Sequence, residues 1–309
     1  MRFKTWAAAL AAAALAAGSA LAAAGPANAI VNGVPATQPY PFAGSLQLTD
    51  HGDPDWHTCG VTLINPWWVE TNAHCVSNLP TSAVQAEAAQ ARYGAWLASN
   101  TTTGIDRGDP HTFHVRLGSA DRLSGGVVRR FTRIVPYPGW AWGVPDSKGR
   151  IGDIALMRLD QPVWNLPPAI VLPARTQQPA RAIGWGMTSD PTTWEGPAPR
   201  DLSQIDEPLR PAAECAASGI SVGELCLGGV RVGGDCFGDS GSPALQPIGR
   251  YWGIAIGSAS RGEDDTCGQV GKPDVYTDLS TYRDWMVRVV FALPDGASTA
   301  GRDLHAAAR

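Results

Sequence analysis

Short strand-like segments separated by turn residues recur along this chain from Ile30 onward, and they constrain its fold more than any other feature. Each segment is bounded by Gly, Pro, Asn or Asp: "AGSLQL", "VTLI", "HVRLG", "DIALMRLDQPV", "ARAIGWG", "YWGIAIG" and "DVYTDL". Such segments bury their apolar side chains only when several of them pair into sheets that form a sandwich or a barrel. The sequence therefore predicts an all-β fold.

Two segments depart from this pattern and predict helices. Residues 82–98 are rich in alanine, although Gly94 weakens the helix. Residues 281–291 follow Ser280, a candidate N-cap, and carry apolar side chains at helical spacing. Residues 293–309 are small and polar and predict a flexible tail.

The first 29 residues have the pattern of a secretion signal. Arg2 and Lys4 form a charged start, an alanine-rich uncharged stretch follows, and Ala27 and Ala29 have the A-x-A spacing of a signal-peptidase site. A membrane anchor is the alternative, because the stretch approaches the length of a spanning helix. Alanine is only weakly apolar and a cleavage motif follows at once, so we expect a secreted protein with no membrane association after cleavage. The alanine-rich signal also favours a bacterial source.

The cysteines all follow this leader: Cys59, Cys75, Cys215, Cys226, Cys236 and Cys267. An even number in a secreted chain indicates disulfides, but the count alone leaves their pairing open. Zinc is disfavoured because no C-x-x-C or histidine pair has ligand spacing, and we expect no metal. A net charge of −4 argues against a nucleic-acid partner held by a broad basic surface.

Three short motifs carry candidate chemistry. Residues 71–75 are "TNAHC" and residues 153–156 are "DIAL", each weak alone, since a histidine or a strand-start aspartate is commonly structural. Residues 238–243, "GDSGSP", set a serine between glycines, which lets the backbone fold tightly and expose amide groups. The order His, Asp, Ser in a secreted, cysteine-bearing chain makes the combination informative.

With "IVNG" at 30–33, "WVETNAHC" at 68–75, "DIALMRL" at 153–159, "GWG" at 184–186 and "KPDVYT" at 272–277, the chain from Ile30 to about Phe291 resembles the trypsin/chymotrypsin family of serine proteases. The resemblance implies a chymotrypsin-like fold of two antiparallel six-stranded β-barrels with a C-terminal helix. The expected divisions are a signal peptide at 1–29, an N-terminal barrel with His74 and Asp153 at 30–164, a C-terminal barrel and helix with Ser240 at 165–292, and a flexible tail at 293–309.

The family's catalytic roles then carry over to matching positions. Ser240 is the expected nucleophile, His74 the base that takes its proton, and Asp153 the group that orients His74. The backbone amides of Gly238 and Ser240 are the expected oxyanion hole. The resemblance also implies the disulfides Cys59–Cys75, Cys215–Cys226 and Cys236–Cys267.

Asp239 has a separate role by the same resemblance, as the buried partner of a new N-terminal amine on Ile30. Such a pair is favourable only when both charges are present. Because the A-x-A motif ends at Ala29, we expect signal peptidase itself to expose Ile30, with no separate zymogen cleavage.

The specificity pocket departs from the trypsin pattern. Gly234 stands where trypsin-like members carry their aspartate, while Asp235 follows it and Asp274 lies on the opposite wall. Two acids beside a glycine floor predict substrates with Arg or Lys before the scissile bond. The alternative is that one or both acids are solvated or hydrogen-bonded away from the pocket. A glutamate-specific protease is disfavoured, because an acidic pocket repels a carboxylate.

The segment that lines the substrate groove also departs from the family pattern. Residues 253–260, "GIAIGSAS", stand in place of the usual Ser-Trp-Gly segment, which leaves open whether Ser258 or Ile256 replaces the serine that bonds the triad aspartate. We take Ser258 as a candidate substrate-binding residue. The region 77–112 is also longer than the usual loop there.

These features predict a secreted, monomeric serine endopeptidase that acts through an acyl-enzyme and needs no cofactor. Its expected partners are protein or peptide substrates and protein inhibitors. The alternatives are a protease of broad or other specificity, or a catalytically inactive homologue kept as a binding protein. The presence of all three triad residues counts against the last.

Overall fold

The computed structural model of this chain describes residues 29–99, 104–188, 197–264 and 266–305. The predicted signal peptide, residues 1–29, lies outside the described residues except for Ala29. In the part of the chain that is described, no helix is long and apolar enough to cross a membrane.

The elements follow one another along the chain as strands with few helices. The strands are β1 (Val34–Pro35), β2 (Ala43–Asp50), β3 (Asp53–Asn65), β4 (Trp68–Thr71), β5 (Phe113–Leu117), β6 (Val127–Pro136), β7 (Ala155–Leu159), β8 (Ile170–Val171), β9 (Ala180–Gly184), β10 (Ser203–Glu207), β11 (Leu209–Arg210), β12 (Glu224–Leu227), β13 (Pro243–Ile248), β14 (Tyr251–Arg261) and β15 (Asp274–Asp278). The α-helices are α1 (Ala83–Ser99) and α2 (Leu279–Val290), and short 3₁₀ turns cover His74–Val76, Pro110–Thr112 and Ala212–Cys215.

The first half of the fold is a closed antiparallel barrel with the strand order β2-β3-β4-β7-β6-β5. Strand β5 shows why the sequence closes in this way, because Phe113, Val115 and Leu117 point inward and are fully buried, while the residues between them are partly exposed. This period-2 alternation is what a half-buried strand requires. The predicted all-β, chymotrypsin-like fold is confirmed.

The second half is a nine-stranded sheet rather than a second closed six-stranded barrel. Its order is β1-β10-β9-β13-β14-β15-β12-β11, and β8 pairs with β14 in parallel. The strands at its two ends, β1 and β11, are only two residues long, and each pairs with a single neighbour. Among the described residues, backbone pairing therefore leaves this sheet open.

Both predicted helices are present, but α1 contains a break and α2 begins earlier than expected. α1 contains a break at Tyr93 (φ −133°, ψ 22°), directly before Gly94. α2 begins two residues earlier than expected, because Asp278 rather than Ser280 is the N-cap and accepts a hydrogen bond from the Ser280 amide. The acceptor side chain stabilises the first turn, as N-caps do.

The three predicted disulfides, Cys59–Cys75, Cys215–Cys226 and Cys236–Cys267, are all formed. The segment predicted as a flexible tail contacts the first barrel. Leu304 is buried there, and its carbonyl oxygen accepts a hydrogen bond of 2.7 Å from the Asn65 side chain.

Candidate active site

His74 and Asp153 meet because the strands that carry them pair. β4 ends just before His74, and β7 begins just after Asp153, with Thr71 opposite Ala155 in the antiparallel register. His74 Nδ1 lies 2.7 Å from Asp153 Oδ2, and the His74 backbone N–H donates to Asp153 Oδ1 at 2.9 Å. Both side chains are fully buried. A carboxylate at this position holds the histidine in one orientation and tautomer.

Asp153 accepts a further hydrogen bond from Ser260, whose Oγ lies 2.7 Å from Oδ2. Burial alone would raise the pKa of Asp153, but His74 and these hydrogen bonds outweigh burial and hold the pKa below its ordinary value. Neither Ser258 nor Ile256, the two residues considered from sequence, takes this position. The groove segment is therefore Ser260-Arg261-Gly262, with arginine where the family usually has tryptophan.

Ser258 lies elsewhere, buried beside Glu70 of β4. Burial raises the pKa of Glu70 to about 8, although the Ser258 hydroxyl acts in the opposite direction. Ser258 is also absent from the residues that line the candidate substrate cavity in the described part of the chain. The geometry thus gives no support to Ser258 as a substrate-binding residue.

Ser240 is half-buried and borders a cavity of about 320 Å³, together with Cys236 and Phe237. Gly238 has a φ of 98°, a conformation that favours glycine. In the described residues, the amides of Gly238 and Ser240 donate to no backbone carbonyl. Two such free amides beside a serine can stabilise a developing oxyanion.

A second histidine, His57 of β3, supports this turn and was missed from sequence. Its Nε2 lies 2.9 Å from the Gly238 carbonyl oxygen, and its Nδ1 lies 2.8 Å from Ser45 Oγ. Burial and the nearby Arg122 lower the pKa of His57 to about 3. The imidazole is therefore neutral, and it donates from Nε2 to Gly238 while accepting from Ser45.

Asp239 is fully buried, and its carboxylate accepts from the backbone amides of Gly186 (2.8 Å) and Cys236 (2.9 Å). Burial raises the pKa of Asp239 well above its ordinary value, and the negative charge of Asp235 adds to this effect. Ile30 is also fully buried, and in the described chain it remains joined to Ala29.

The two predicted acids line the cavity and lie close together, whereas Gly234 contacts Asp274 but is not itself among the lining residues. A Cβ added to Gly234 would lie 2.8 Å from Asp274 Oδ2, and the Asp235 amide donates to that same oxygen at 3.3 Å. Tyr276 donates its hydroxyl to the Asp235 carboxylate. Both Asp235 and Asp274 line the cavity.

Burial raises the pKa of Asp235 to about 7, and it raises that of Asp274 well above the ordinary value, with Asp235 and Glu207 adding to the effect. Glu207 is a third acid near these two, and no sequence motif marks it. Burial and Asp235 raise its pKa to about 7. The charge of Arg231 acts on Glu207 in the opposite direction and only partly offsets these effects. A bound positive charge would stabilise the ionised forms of these acids.

In the described part of the chain, one trio of potential metal ligands, Cys59, His74 and Cys75, has its ligand atoms within 4.8 Å of one another. Its two sulfurs are joined in a disulfide. A disulfide sulfur is not the thiolate that binds metal ions, so this trio is part of the site around His74 and not a metal centre.

Comparison with known proteins shows which family this chain belongs to. The family model described as Trypsin matches residues 30–109 and 94–286. Phenoloxidase-activating factor 1 of Holotrichia diomphalia is 30% identical over 84% of this chain and 69% of its own length. Kallikrein 1-related peptidase b24 of Mus musculus is 28% identical over 74% of this chain and 79% of its own length.

CLIP domain-containing serine protease B4 of Anopheles gambiae is 28% identical over 74% of this chain, and the alignment spans only 61% of that longer protein. These relatives come from insects and a mouse, so they give no support to the bacterial source expected from the leader. The matched family model covers most of the chain, including His74, Asp153 and Ser240. The chain belongs to the trypsin family of serine proteases.

Proposed function

We propose that this protein is a secreted serine endopeptidase that cleaves after Arg or Lys. The observation that carries the proposal is the His74–Asp153–Ser260 hydrogen-bond chain beside a cavity lined by Ser260, Ser240 and two partly buried acids, Asp235 and Asp274. The alanine-rich leader with its A-x-A site supports secretion.

In the structure His74 Nε2 lies 3.6 Å from Cys75 Sγ, and no hydrogen bond joins it to Ser240 among the described residues. In the proposed reaction His74 Nε2 comes within hydrogen-bond reach of Ser240 and takes its proton while Ser240 Oγ attacks the scissile carbonyl carbon. Asp153 accepts from His74 Nδ1 and stabilises the imidazolium that forms. The amides of Gly238 and Ser240 donate to the oxyanion of the tetrahedral intermediate. His74 then protonates the leaving amine, and water, activated by the same histidine, hydrolyses the acyl-enzyme.

The acids at the end of the cavity support a basic specificity residue. An arginine or lysine side chain there would pair with Asp274 and Asp235, whose pKa values are raised mainly because burial penalises their charges. The opposite charge of the substrate compensates part of this penalty. An apolar side chain leaves the penalty in place.

We further propose that cleavage after Ala29 activates the protein. The Asp239 carboxylate is buried and has backbone amides as its hydrogen-bond donors in the described chain. A new Ile30 amine would supply the cation that makes ionised Asp239 favourable. N-terminal sequencing of the active secreted protein should begin at Ile30, and an active form that begins upstream of it contradicts this step.

The catalytic role of Ser240 is tested by labelling with a fluorophosphonate, which reacts with activated serines. We expect labelling of the secreted protein, loss of labelling in Ser240→Ala and no change in Ser298→Ala, which alters an exposed serine of the C-terminal segment. Absence of labelling in the N-terminally processed protein would favour an inactive binding homologue.

The specificity is tested with fluorogenic peptides that vary the residue before the scissile bond. We expect kcat/KM for Arg and Lys peptides to fall at least about 30-fold in Asp274→Asn, because removing one partner of a buried charge pair costs about 2 kcal/mol or more. The exposed Asp201→Asn is the matched control. A preference for Phe or Leu that Asp274→Asn leaves unchanged overturns the assignment.

A further inference from the structure

Arg261, the last residue of β14, places its guanidinium beside the hydroxyl group that bonds Asp153. Its Nη1 donates to Ser260 Oγ at 3.3 Å, and Ser260 Oγ lies 2.7 Å from Asp153 Oδ2. A hydroxyl group has one proton and two lone pairs, so Ser260 accepts from Arg261 and donates its proton to Asp153. One hydroxyl oxygen therefore separates a cation from the carboxylate that orients His74.

The guanidinium is held in one orientation by its other hydrogen bonds. Nη1 and Nη2 donate to the two carboxylate oxygens of Glu224, while Nε donates to the Ser218 carbonyl oxygen and Nη2 to that of Gly219. The side chains of Arg261 and Glu224 are both buried. A planar fork whose donors are paired in this way has a fixed direction, so Nη1 stays directed at Ser260.

The chain around Glu224 also contacts the segment that leads into Asp153. The Ile151 backbone N–H donates to Ser221 Oγ at 3.2 Å, and the Ser221 backbone N–H donates to Glu224 Oε2 at 2.6 Å. The cation, its carboxylate partner and the segment before Asp153 are thus joined through hydrogen bonds. Arg261 is therefore placed relative to the triad by contacts on both sides of Asp153.

The other titratable groups that face this network are neutral in acid. The Tyr93 hydroxyl of α1 donates to Asp153 Oδ2 at 3.4 Å, and burial raises the pKa of Tyr93 well above its ordinary value. Burial, with the charge of Asp153, raises the pKa of Glu70 of β4 to about 8. Burial also raises the pKa of Tyr282 of α2, on which the charge of Glu224 acts. These three groups keep their protons below neutral pH, so they do not mask a nearby fixed charge.

A fixed cation near Asp153 acts on the protonation of the catalytic pair. With neutral His74 and ionised Asp153 the pair carries one negative charge, and a proton on His74 cancels it. A nearby cation stabilises the negatively charged state, which is also the state in which His74 can take the proton of Ser240. Glu224 has the opposite charge, but it is joined to Ser260 through the guanidinium.

We propose that Arg261 is a positioning residue of the triad: its guanidinium, held by Glu224, directs the Ser260 hydroxyl onto Asp153 and keeps the catalytic pair in its active charge state in acid. The inference rests on the proposed protease function and adds a buried cation to it. The family usually has an uncharged tryptophan here, so this cation is a feature of the present chain.

The test is the pH dependence of Ser240 labelling by an uncharged alkyl fluorophosphonate. The probe has no basic side chain, so protonation of Asp235 and Asp274 does not enter its rate. For Arg261→Met we expect the midpoint of the acid limb to move to higher pH by at least about 0.5 unit. Arg261→Lys keeps a cation and should recover at least about half of this shift, although lysine lacks the planar fork.

Two variants at Glu224 separate the charge from folding. Arg261→Met/Glu224→Leu leaves no charge buried, so it should fold even where Arg261→Met does not, and its acid limb should still move to higher pH. Glu224→Gln keeps the cation and removes the anion, so its acid limb should move to lower pH. The control Arg210→Met removes the same charge from a partly exposed pair and should keep the wild-type midpoint.

Opposite shifts for opposite charges are a result that a purely structural role does not produce. A wild-type protein that labels and cleaves Arg peptides, with an acid limb that the double variant leaves unchanged, overturns the inference alone. A shift to higher pH in Glu224→Gln overturns it as well. A processed protein that neither labels nor cleaves any peptide overturns the proposed function, so the two failures are distinguishable.

Discussion

Arg261 stands where the family usually has a tryptophan in the substrate groove. It forms a buried ion pair with Glu224, and this pair gives the sharpest stability prediction. Its guanidinium donates to both carboxylate oxygens of Glu224 at 2.8 and 2.9 Å, and the two side chains are only 3% and 1% exposed. It also donates to the carbonyl oxygens of Ser218 and Gly219. Burial would lower the pKa of Arg261, but Glu224 outweighs burial and raises it.

The perturbation is Arg261→Met, which keeps much of the side-chain volume and removes the charge. It leaves the Glu224 carboxylate buried without its cation and removes donors from two carbonyl oxygens. Breaking one partner of a buried pair costs about 3–5 kcal/mol. For a chain of this size, that corresponds to a fall of about 6–20 °C in Tm.

The assay is reversible denaturant unfolding with the disulfides intact, in a Ser240→Ala background that prevents self-digestion. The control is Arg210→Met, which breaks the Arg210–Glu214 pair, where the side chains are 32% and 39% exposed. That pair should contribute less than about 1 kcal/mol. The reasoning is refuted if Arg261→Met destabilises no more than Arg210→Met.

A double variant separates the pair from its surroundings. In Arg261→Met/Glu224→Leu no charge is left buried, and apolar replacements of buried pairs are often neutral or stabilising. We expect the double variant to recover most of the free energy of unfolding that the single variant loses. A loss equal to the sum of the two single losses would show that the residues do not interact.

Three further predictions concern buried polar groups near the site. Ser260→Ala removes a hydrogen bond to the charged Asp153, so kcat/KM should fall about tenfold or more and its acid limb should shift in a pH–rate profile, since such bonds contribute about 1.5–3 kcal/mol. Burial raises the pKa of Glu70 from 4.5 to about 8 in the folded protein. Between these two pH values the folded state keeps the proton that the unfolded state loses, so the free energy of unfolding should fall with rising pH by up to about 1.4 kcal/mol per pH unit. Unfolding curves of Glu70→Gln measured across this pH range should lack that slope. His57→Ala removes the donor to the Gly238 carbonyl and should lower kcat by up to about 10² with KM little changed, which steady-state kinetics measures; an equal rise in KM would contradict the oxyanion-hole explanation.

The contact between His74 and Asp153 was predictable because the motifs that mark these two residues are local. His74 and Asp153 each stand in a short motif at a strand boundary, and the serine stands in a glycine-rich turn. A strained or tightly folded turn needs particular residues at particular positions, so the sequence of such a turn is itself specific. Resemblance to one family then assigned the pairing of the cysteines, which their number alone left open.

The serine that bonds Asp153 was not predictable, because it depends on strand register. Residues 253–260 consist of small residues and two isoleucines, and they contain Ser258 and Ser260. Nothing in the neighbouring sequence distinguishes one serine from the other. In the structure, β14 pairs Ser258 with Thr277, and a β-bulge follows between Ala259 and Arg261. A bulge inserts an extra residue and redirects the next side chain, and here Ser260 points toward Asp153.

His57 and Glu207 were missed because nothing near them in the sequence marks them. His57 contacts Gly238, which lies 181 residues further along the chain. Their positions follow from which strands become neighbours in the folded protein, and only the complete set of pairings determines that. Burial, which lowers the pKa of His57 and raises that of Glu207, is likewise a property of the whole fold.

The position of helix α1 in the fold was likewise not predictable from its own sequence. Alanine content predicts that this segment is helical, since propensity is local. Alanine content does not predict where the helix lies in the fold. Its position depends on the packing of Tyr93 and Trp96 against Trp140 and Trp142, which are more than forty residues away in the chain. The reaction chemistry thus resides in short motifs, which sequence can identify. The position of the inserted helix against His74 depends on packing between distant parts of the chain, which only the folded structure shows.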